Sequence, residues 1–200
     1  MVKDGIPYVI IPAIGGLLAG FFQLWPVFFA LAAVSAFMAF FFRDPERVTP
    51  EGDDLIISAA DGRVTRIEKT AEGKVVSVFL SPLDVHINRS PIAGRVARIE
   101  YTPGKKLPAT GDNASYLNER NSIYIEGANM NVVCTQIAGI LARRIVCRAN
   151  PGDQLSAGER FGLIKFGSRT DLLMPDSVEI MVNIGDRVIG GETVIARLPQ

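Results

Sequence analysis

Hydrophobic and polar positions along the chain follow two regimes that meet near Pro50. From Tyr8 to Phe42 no residue is charged. A membrane-spanning helix needs about 20 apolar residues, so this block is longer than one helix requires. Trp25-Pro26 lies near its middle, and the proline biases the residue before it away from helix. The pattern predicts two short helices, Tyr8 to about Gln23 and Val27 to about Phe42. Each is somewhat short for a full crossing, which leaves a spanning pair and a shallow monotopic hairpin both open. Lys3 precedes the block, and Arg43 and Arg47 follow it. Basic flanks on both sides place both ends on the cytoplasmic face of the cell membrane. The block is too long, and its start too weakly basic, for a cleaved signal peptide.

After Pro50 the runs shorten. DLIISAADGRVTRIEKT, KVVSVFLSP, SIYIEG, NVVCTQIAG and SVEIMVNIG are strand-length segments bounded by Gly, Pro, Asn and Asp and rich in β-branched residues. No long helical period appears, so residues 50–200 are expected to form a mainly β domain behind a membrane-associated segment, residues 1–49. The domain also repeats itself. Asp61-Gly62-Arg63-Val64-Thr65-Arg66-Ile67-Glu68 is similar to Ala93-Gly94-Arg95-Val96-Ala97-Arg98-Ile99-Glu100, with a looser third copy at 139–145. Gly152 to Glu159 and Gly185 to Glu192 share the form G-D-x-Φ-x-x-G-E, with Φ apolar. Glycine supplies the positive-φ turn positions, and the acidic residues suit exposed corners. These phrases resemble biotinyl- and lipoyl-carrier domains. The expected fold is therefore a β-sandwich of duplicated hybrid motifs with an N-terminal helical hairpin. Carrier function does not follow, because no exposed M-K-M turn is present.

Charge balance narrows the partners. Lys plus Arg and Asp plus Glu number 21 each, so no global field recruits nucleic acid, and an anionic ligand must be met locally. Cys134 and Cys147 sit in apolar stretches without CxxC spacing or a companion histidine. They read as buried small side chains, and no metal site is expected.

The chemistry concentrates in FGLIKFGSRTDLLMP, residues 161–175. A Gly-Ser pair alone is usually a turn. Here Gly167-Ser168 follows G-E-R-F-G-L-I-x-F and precedes R-T-D-Φ-Φ-Φ-P, and the whole string resembles the processing site of the phosphatidylserine decarboxylase family. Ser58-Ala59-Ala60-Asp61-Gly62-Arg63-Val64, the segment FLSPLDVHINRSP at 79–91 and the membrane-proximal FFFRDPER are similar to further motifs of the same family. The resemblance covers essentially the whole chain and is closest to the short bacterial or archaeal form.

That resemblance implies a zymogen. The Ser168 hydroxyl attacks the Gly167 carbonyl, the peptide bond becomes an ester, β-elimination cuts the chain and leaves dehydroalanine at position 168, and hydrolysis by water with loss of ammonia turns it into a pyruvoyl group. The products are a β chain, residues 1–167, and an α chain starting at 168, held together as a heterodimer; a homo-oligomer is left open. The pyruvoyl group, a covalent cofactor, forms a Schiff base with the amine of phosphatidylserine and accepts electrons as carbon dioxide leaves. His86, the sole histidine, matches the family residue assigned to proton transfer, and its ordinary pKa of about 6.5 suits that task. A second family histidine falls at Arg89, so either His86 serves both steps or a carboxylate shares them. Asp61 matches the family aspartate of the A-D-G motif. Asp84 orients His86 or caps a turn. Arg89, Lys165 and Arg169 are candidates for the substrate's phosphate or carboxylate, since arginine makes bidentate contacts to both. A pyruvoyl decarboxylase for another amino substrate, and a non-enzymatic membrane-anchored adaptor, are the competing classes.

Overall fold

The computed structural model describes residues 1–105, 107–108, 111, 114–140, 144–165 and 168–199. The chain divides into two compact units, Met1–Glu46 and Arg47–Gln200.

The first unit is a helical hairpin. A 3-10 turn, Lys3–Gly5, runs into α1 (Ile6–Phe21), and α2 (Trp25–Phe41) returns. The reversal passes through Gln23 in the left-handed region, φ 59°. Small residues of α1, Gly15, Gly16 and Gly20, face Leu31 and Phe28 of α2, which lets apolar helices approach closely. Ser35 Oγ donates to the Val9 carbonyl at 2.9 Å across the pair. The second helix starts at Trp25, two residues earlier than the sequence suggests. Pro26 falls in the first turn, where a missing N–H breaks no helical hydrogen bond. Ile11, Leu17, Leu18, Phe21 and Phe29 are exposed, an arrangement suited to lipid rather than water. The helical segment Lys3–Phe21 is long and apolar enough to cross a membrane. At 1.5 Å per residue, the 17 residues of α2 reach only about 26 Å against a core of about 30 Å.

The second unit is mainly β. In order it contains β1 (Leu55–Ile57), β2 (Gly62–Thr70), β3 (Gly73–Leu80), β4 (Ile87–Arg89) and β5 (Gly94–Thr102). A four-residue helix, α3 (Ala114–Leu117), precedes β6 (Arg120–Glu126), β7 (Asn131–Ala138), β8 (Arg144–Cys147) and β9 (Gln154–Leu155). The chain ends with β10 (Arg160–Lys165), β11 (Ser168–Met174), β12 (Glu179–Ile180), β13 (Arg187–Val188) and β14 (Val194–Arg197). An eight-stranded curled sheet runs β13-β2-β3-β11-β7-β6-β5-β9, and two three-stranded sheets run β1-β14-β12 and β4-β10-β8. Alternation along the strands turns Val64, Val78, Ile123, Ile125, Cys134 and Leu172 inward, where they share one core with Ile56 and Ile195.

The repeats of the sequence are repeats of hydrogen bonding. In β2 the pairing shifts between Val64 and Arg66, and in β5 it shifts at the equivalent Val96 and Arg98. Val64 N–H donates to Asp186 O, and Val96 N–H donates to Asp153 O, both at 2.9 Å. Gly185 and Gly152 return the bond to Val64 and Val96 at 2.8 Å each, from φ values of 99° and 97°. Asn183 and Asn150 donate through their backbone N–H groups to the carboxylates of Asp186 and Asp153. These acidic residues therefore tie their own turns. The looser third copy includes 141–143, which lie outside the described residues.

Candidate active site

Ser168 opens β11, opposite Leu80 of β3 on one side and Ala138 of β7 on the other. β10 ends only three residues earlier, in a different sheet, so Ser168 stands where the chain changes sheets. Its side chain is fully buried, and its Oγ has no hydrogen-bond partner among the described residues. An orphaned buried hydroxyl costs about 1–3 kcal/mol; Ser77 Oγ in β3 is another such hydroxyl among the described residues. Gly167 lies outside the described residues.

His86 lies beside the end of β10. After Leu80, Ser81–Asp84 form a turn closed by the Asp84 N–H to Ser81 O bond at 2.9 Å. Two residues on, the His86 carbonyl accepts from Ile164 N–H at 3.1 Å, next to the end of β10. The imidazole is 2% exposed. Its Nδ1 lies 2.9 Å from the Asp84 carbonyl. A carbonyl can only accept, so Nδ1 carries the proton and Nε2 is the acceptor nitrogen of the neutral ring. The Asp84 carboxylate is engaged elsewhere. It accepts from Ser81 N and Ser81 Oγ, and on its other oxygen it meets Arg187. Asp84 thus caps the turn through its side chain and orients His86 through its backbone.

Asp61 precedes Gly62, whose φ is 152° and whose hypothetical Cβ would fall 2.1 Å from Phe79 O. Only glycine fits there, and the tight passage fixes Asp61 at the start of β2. Its Oδ2 meets Arg47 at 2.8 Å, and its Oδ1 accepts from Gly190 N–H at 2.8 Å. Burial raises the Asp61 pKa above its ordinary 3.8; the Gly190 and Arg47 contacts oppose the rise, and the negative charge of Asp84 adds to it. The coupling puts the two carboxylates in one neighbourhood.

The three cationic candidates are all buried. The Arg89 guanidinium donates to Gly158 O at 3.0 Å and is 5% exposed. Lys165 ends β10 opposite Arg144. Arg169 pairs with Asp171, two residues along the same face of β11, at 2.9 Å and is joined by Ser115 of α3. Arg169 and Asp171 alternate with Ser168 and Thr170, so they occupy the outer face of the eight-stranded sheet. A cleft of about 500 Å³ on that face is lined by Arg66, Arg98, Arg120, Tyr116 and Tyr124, but not by Ser168, His86 or Asp61. The thiols stand apart. Cys134 is completely buried, and burial pushes its pKa, and that of Cys147, upward.

Sequence reasoning missed several neighbours of these groups. Arg47 and Arg187 were visible only as residues of FFFRDPER and of a G-D-x-Φ turn. Asn88 and Thr170 lay inside the motif segments 79–91 and 161–175 but were given no role, and Gln136 lay in neither. The available signal for Asn88 was its place two residues after His86 in a strand-length run.

Comparison with known proteins completes the picture. A family model described as phosphatidylserine decarboxylase matches residues 34–196. The chain is 48% identical over 189 residues to a protein of Ruegeria pomeroyi named phosphatidylserine decarboxylase proenzyme, covering 88% of this chain and 86% of that one. A protein of Symbiobacterium thermophilum with the same name is 45% identical over 210 aligned residues, covering 99% and 95%. With a matching family model across most of its length, and relatives of this identity covering 88% and 99% of it, the chain belongs to the phosphatidylserine decarboxylase family.

Proposed function

We propose that this chain is a self-processing, membrane-associated enzyme that decarboxylates phosphatidylserine to phosphatidylethanolamine. The observation that carries the reading is the Ser168 hydroxyl, buried without a partner among the described residues at the start of a central strand. An intramolecular attack needs no entry path, so full burial does not hinder it. Burial also keeps water from an ester before elimination is complete.

Ser168 Oγ attacks the carbonyl of Gly167, and His86 Nε2 takes up the hydroxyl proton. Asp61, held by Arg47 and Gly190, shares the proton handling as the second titratable group at this end of the domain. Cleavage leaves β11–β14 on the α chain. β11 remains between β3 and β7, β13 remains on β2, and β14 remains on β1. The two chains therefore stay together as a heterodimer without a covalent link.

The buried hydroxyl at position 168 fits a group made from that residue itself. The resulting pyruvoyl carbonyl supplies the electron sink for loss of carbon dioxide from an amino lipid. His86 then delivers a proton at the same site. Arg89 and Lys165, three residues from His86 and from Ser168 in sequence, supply positive charge toward the lipid phosphate and carboxylate, whereas Arg169 is engaged by Asp171 on the other face of β11 from Ser168. Residues 1–49 hold the protein at the cytoplasmic face of the membrane, and residues 50–200 are the catalytic domain. Its three sheets form a β-sandwich of duplicated hybrid motifs, a reading supported by the matched turn bonds of the two copies.

Purified protein in detergent should release carbon dioxide from phosphatidylserine without added cofactor. Borohydride added with substrate should join the lipid amine to the N-terminus of the α chain. Activity that required pyridoxal phosphate, with an unmodified α-chain terminus, would refute the reading.

A further inference from the structure

Asn88 and Thr170 lie in different sheets, and each stands two residues beyond a reactive position. Asn88 follows His86 into β4, and Thr170 follows Ser168 along β11. Ser168 and Thr170 share one face of β11, and His86 immediately precedes β4. Asn88 Nδ2 donates to Thr170 Oγ1 at 3.0 Å, and Asn88 Oδ1 accepts from Gln136 Nε2 at 2.9 Å. Gln136 lies opposite Thr170 in the β7–β11 register. It also reaches Val146 O of β8 at 3.3 Å and accepts from Asn121 Nδ2 at 3.1 Å. Asn88 and Gln136 are 0% exposed, Thr170 is 1% exposed and Asn121 is 4% exposed.

The topology gives this bridge a direction. β10 ends at Lys165, three residues before β11 begins in another sheet, and β4 pairs antiparallel with β10, so β4 leaves that end as its numbering rises. β11 also leaves it as its numbering rises. His86 and Ser168 are therefore the near ends of two segments that diverge from one point in the same sense. The Asn88–Thr170 bond is the rung that joins them across the layers. Apolar contacts between two layers are non-directional and tolerate sliding. A saturated amide–hydroxyl bond in a dry interior does not, because any offset leaves a buried donor unpaired.

We infer that Asn88 and Thr170 are positioning residues for chain cleavage: their interlayer hydrogen bond sets the offset between the His86 and Ser168 segments. The inference rests on the reading of Ser168 as nucleophile and His86 as its proton acceptor.

Thr170→Val keeps the branched shape and removes the hydroxyl, whereas Thr170→Ser keeps the hydroxyl. Freshly translated full-length chain is followed by gel for its conversion to two chains, and each protein's thermal unfolding is measured alongside. Thr170→Val should cleave about 10- to 100-fold more slowly while still unfolding cooperatively, the loss expected when reacting groups are misplaced by a fraction of an ångström to an ångström. Thr170→Ser should restore the rate. Asn121→Ala, at the far end of the network, leaves the Asn88–Thr170 bond in place and should cleave near the normal rate even where its melting temperature falls. Should Thr170→Val fail to fold, Thr170→Ala, which makes room for a water beside Asn88, is the substitute and should also be slow. A folded Thr170→Val or Thr170→Ala cleaving at the normal rate would overturn the inference. So would an Asn121→Ala chain slowed as much as Thr170→Val, since general loosening of the layers would then be the cause. Ser168→Ala runs in parallel. Its cleavage would sink the reading of the site itself. An uncleaved Ser168→Ala beside a normally cleaving Thr170→Val would sink only the positioning role.

Discussion

The two repeats of the β unit form the same turns and carry different side chains on them. In the first, Ser58 Oγ bonds Ala60 O; in the second, Ser90 Oγ bonds Ile92 O, both at 2.7 Å. Gly191 N–H meets Ser58 O, and Gly158 N–H meets Ser90 O, at 2.8 and 2.9 Å. On this shared frame the residue before the glycine of β2 is Asp61, clasped by Arg47 and Gly190, whereas before β5 it is the exposed Ala93. The residue before β4 is His86, whereas before β1 it is Asp54, half-exposed in an ion pair with Arg197. β10 runs on into Ser168, whereas its counterpart β14 runs to the C-terminus. Duplication thus supplied two equivalent scaffolds. One copy carries Asp61, the other carries His86 and is followed by Ser168, and strands of both copies share the eight-stranded sheet; on the proposed reading these are the acid, the histidine and the nucleophile.

This comparison can be broken one counterpart at a time. The largest contrast is His86→Ala against Asp54→Ala. General acid–base help is worth about 10²–10⁴-fold, so decarboxylation by matured His86→Ala protein should fall by that factor. If His86 also activates Ser168, the chain should remain uncleaved. Asp54→Ala removes only a surface ion pair, worth under about 1 kcal/mol, and should leave turnover unchanged. Equal losses in steady-state assays of the two variants would remove the distinction between the halves.

Asp61→Asn against Ala93→Asp comes next. The buried Asp61 carboxyl titrates above its ordinary 3.8, so its ionised form appears later as pH rises. A cleavage rate that depends on the carboxylate should climb with pH through that raised value, and Asp61→Asn should be slow and lack the climb. The stability effect has the opposite sense. A raised carboxyl pKa contributes stability that is full below 3.8 and lost as pH rises through the folded value. Ala93→Asp places a charge in solvent and should change neither profile.

The smallest effect tests sameness rather than difference. Gly152 and Gly185 have positive φ and open space around them. Alanine at either should cost about 1–2 kcal/mol from backbone strain alone. For a domain of this size each kcal/mol is worth roughly 2–4 °C in melting temperature. Matching shifts in calorimetry, with cleavage intact, are expected; a loss confined to one variant would show that the turns are not equivalent.

Legibility in the sequence followed the range of each interaction. The G-D-x-Φ-x-x-G-E turns were readable because the aspartate bonds a backbone N–H three residues away. The mainly β character was readable from period and punctuation. The start of α2 was misplaced because Pro26 was weighed as a helix breaker, although a first-turn proline is compatible with helix. Arg47 was assigned to the charged stretch after the membrane block. It belongs to the β unit through Asp61, a contact that no local pattern announces. The buried bridge from Asn88 to Thr170 spans 82 positions, and its residue types are ordinary in any strand. Motif resemblance singled out Ser168, His86 and Asp61 as candidates, but the polar contacts around them could be found only in three dimensions.

The intact mass of the purified protein tests the central claim most directly, with Ser168→Ala measured beside it. The wild-type protein should give two masses that place the cut between Gly167 and Ser168, and the α chain should be lighter than a serine-ended peptide by one ammonia. Ser168→Ala should give one full-length mass. A single full-length wild-type chain that is active on phosphatidylserine, or a Ser168→Ala chain cut at the same bond, would contradict the account.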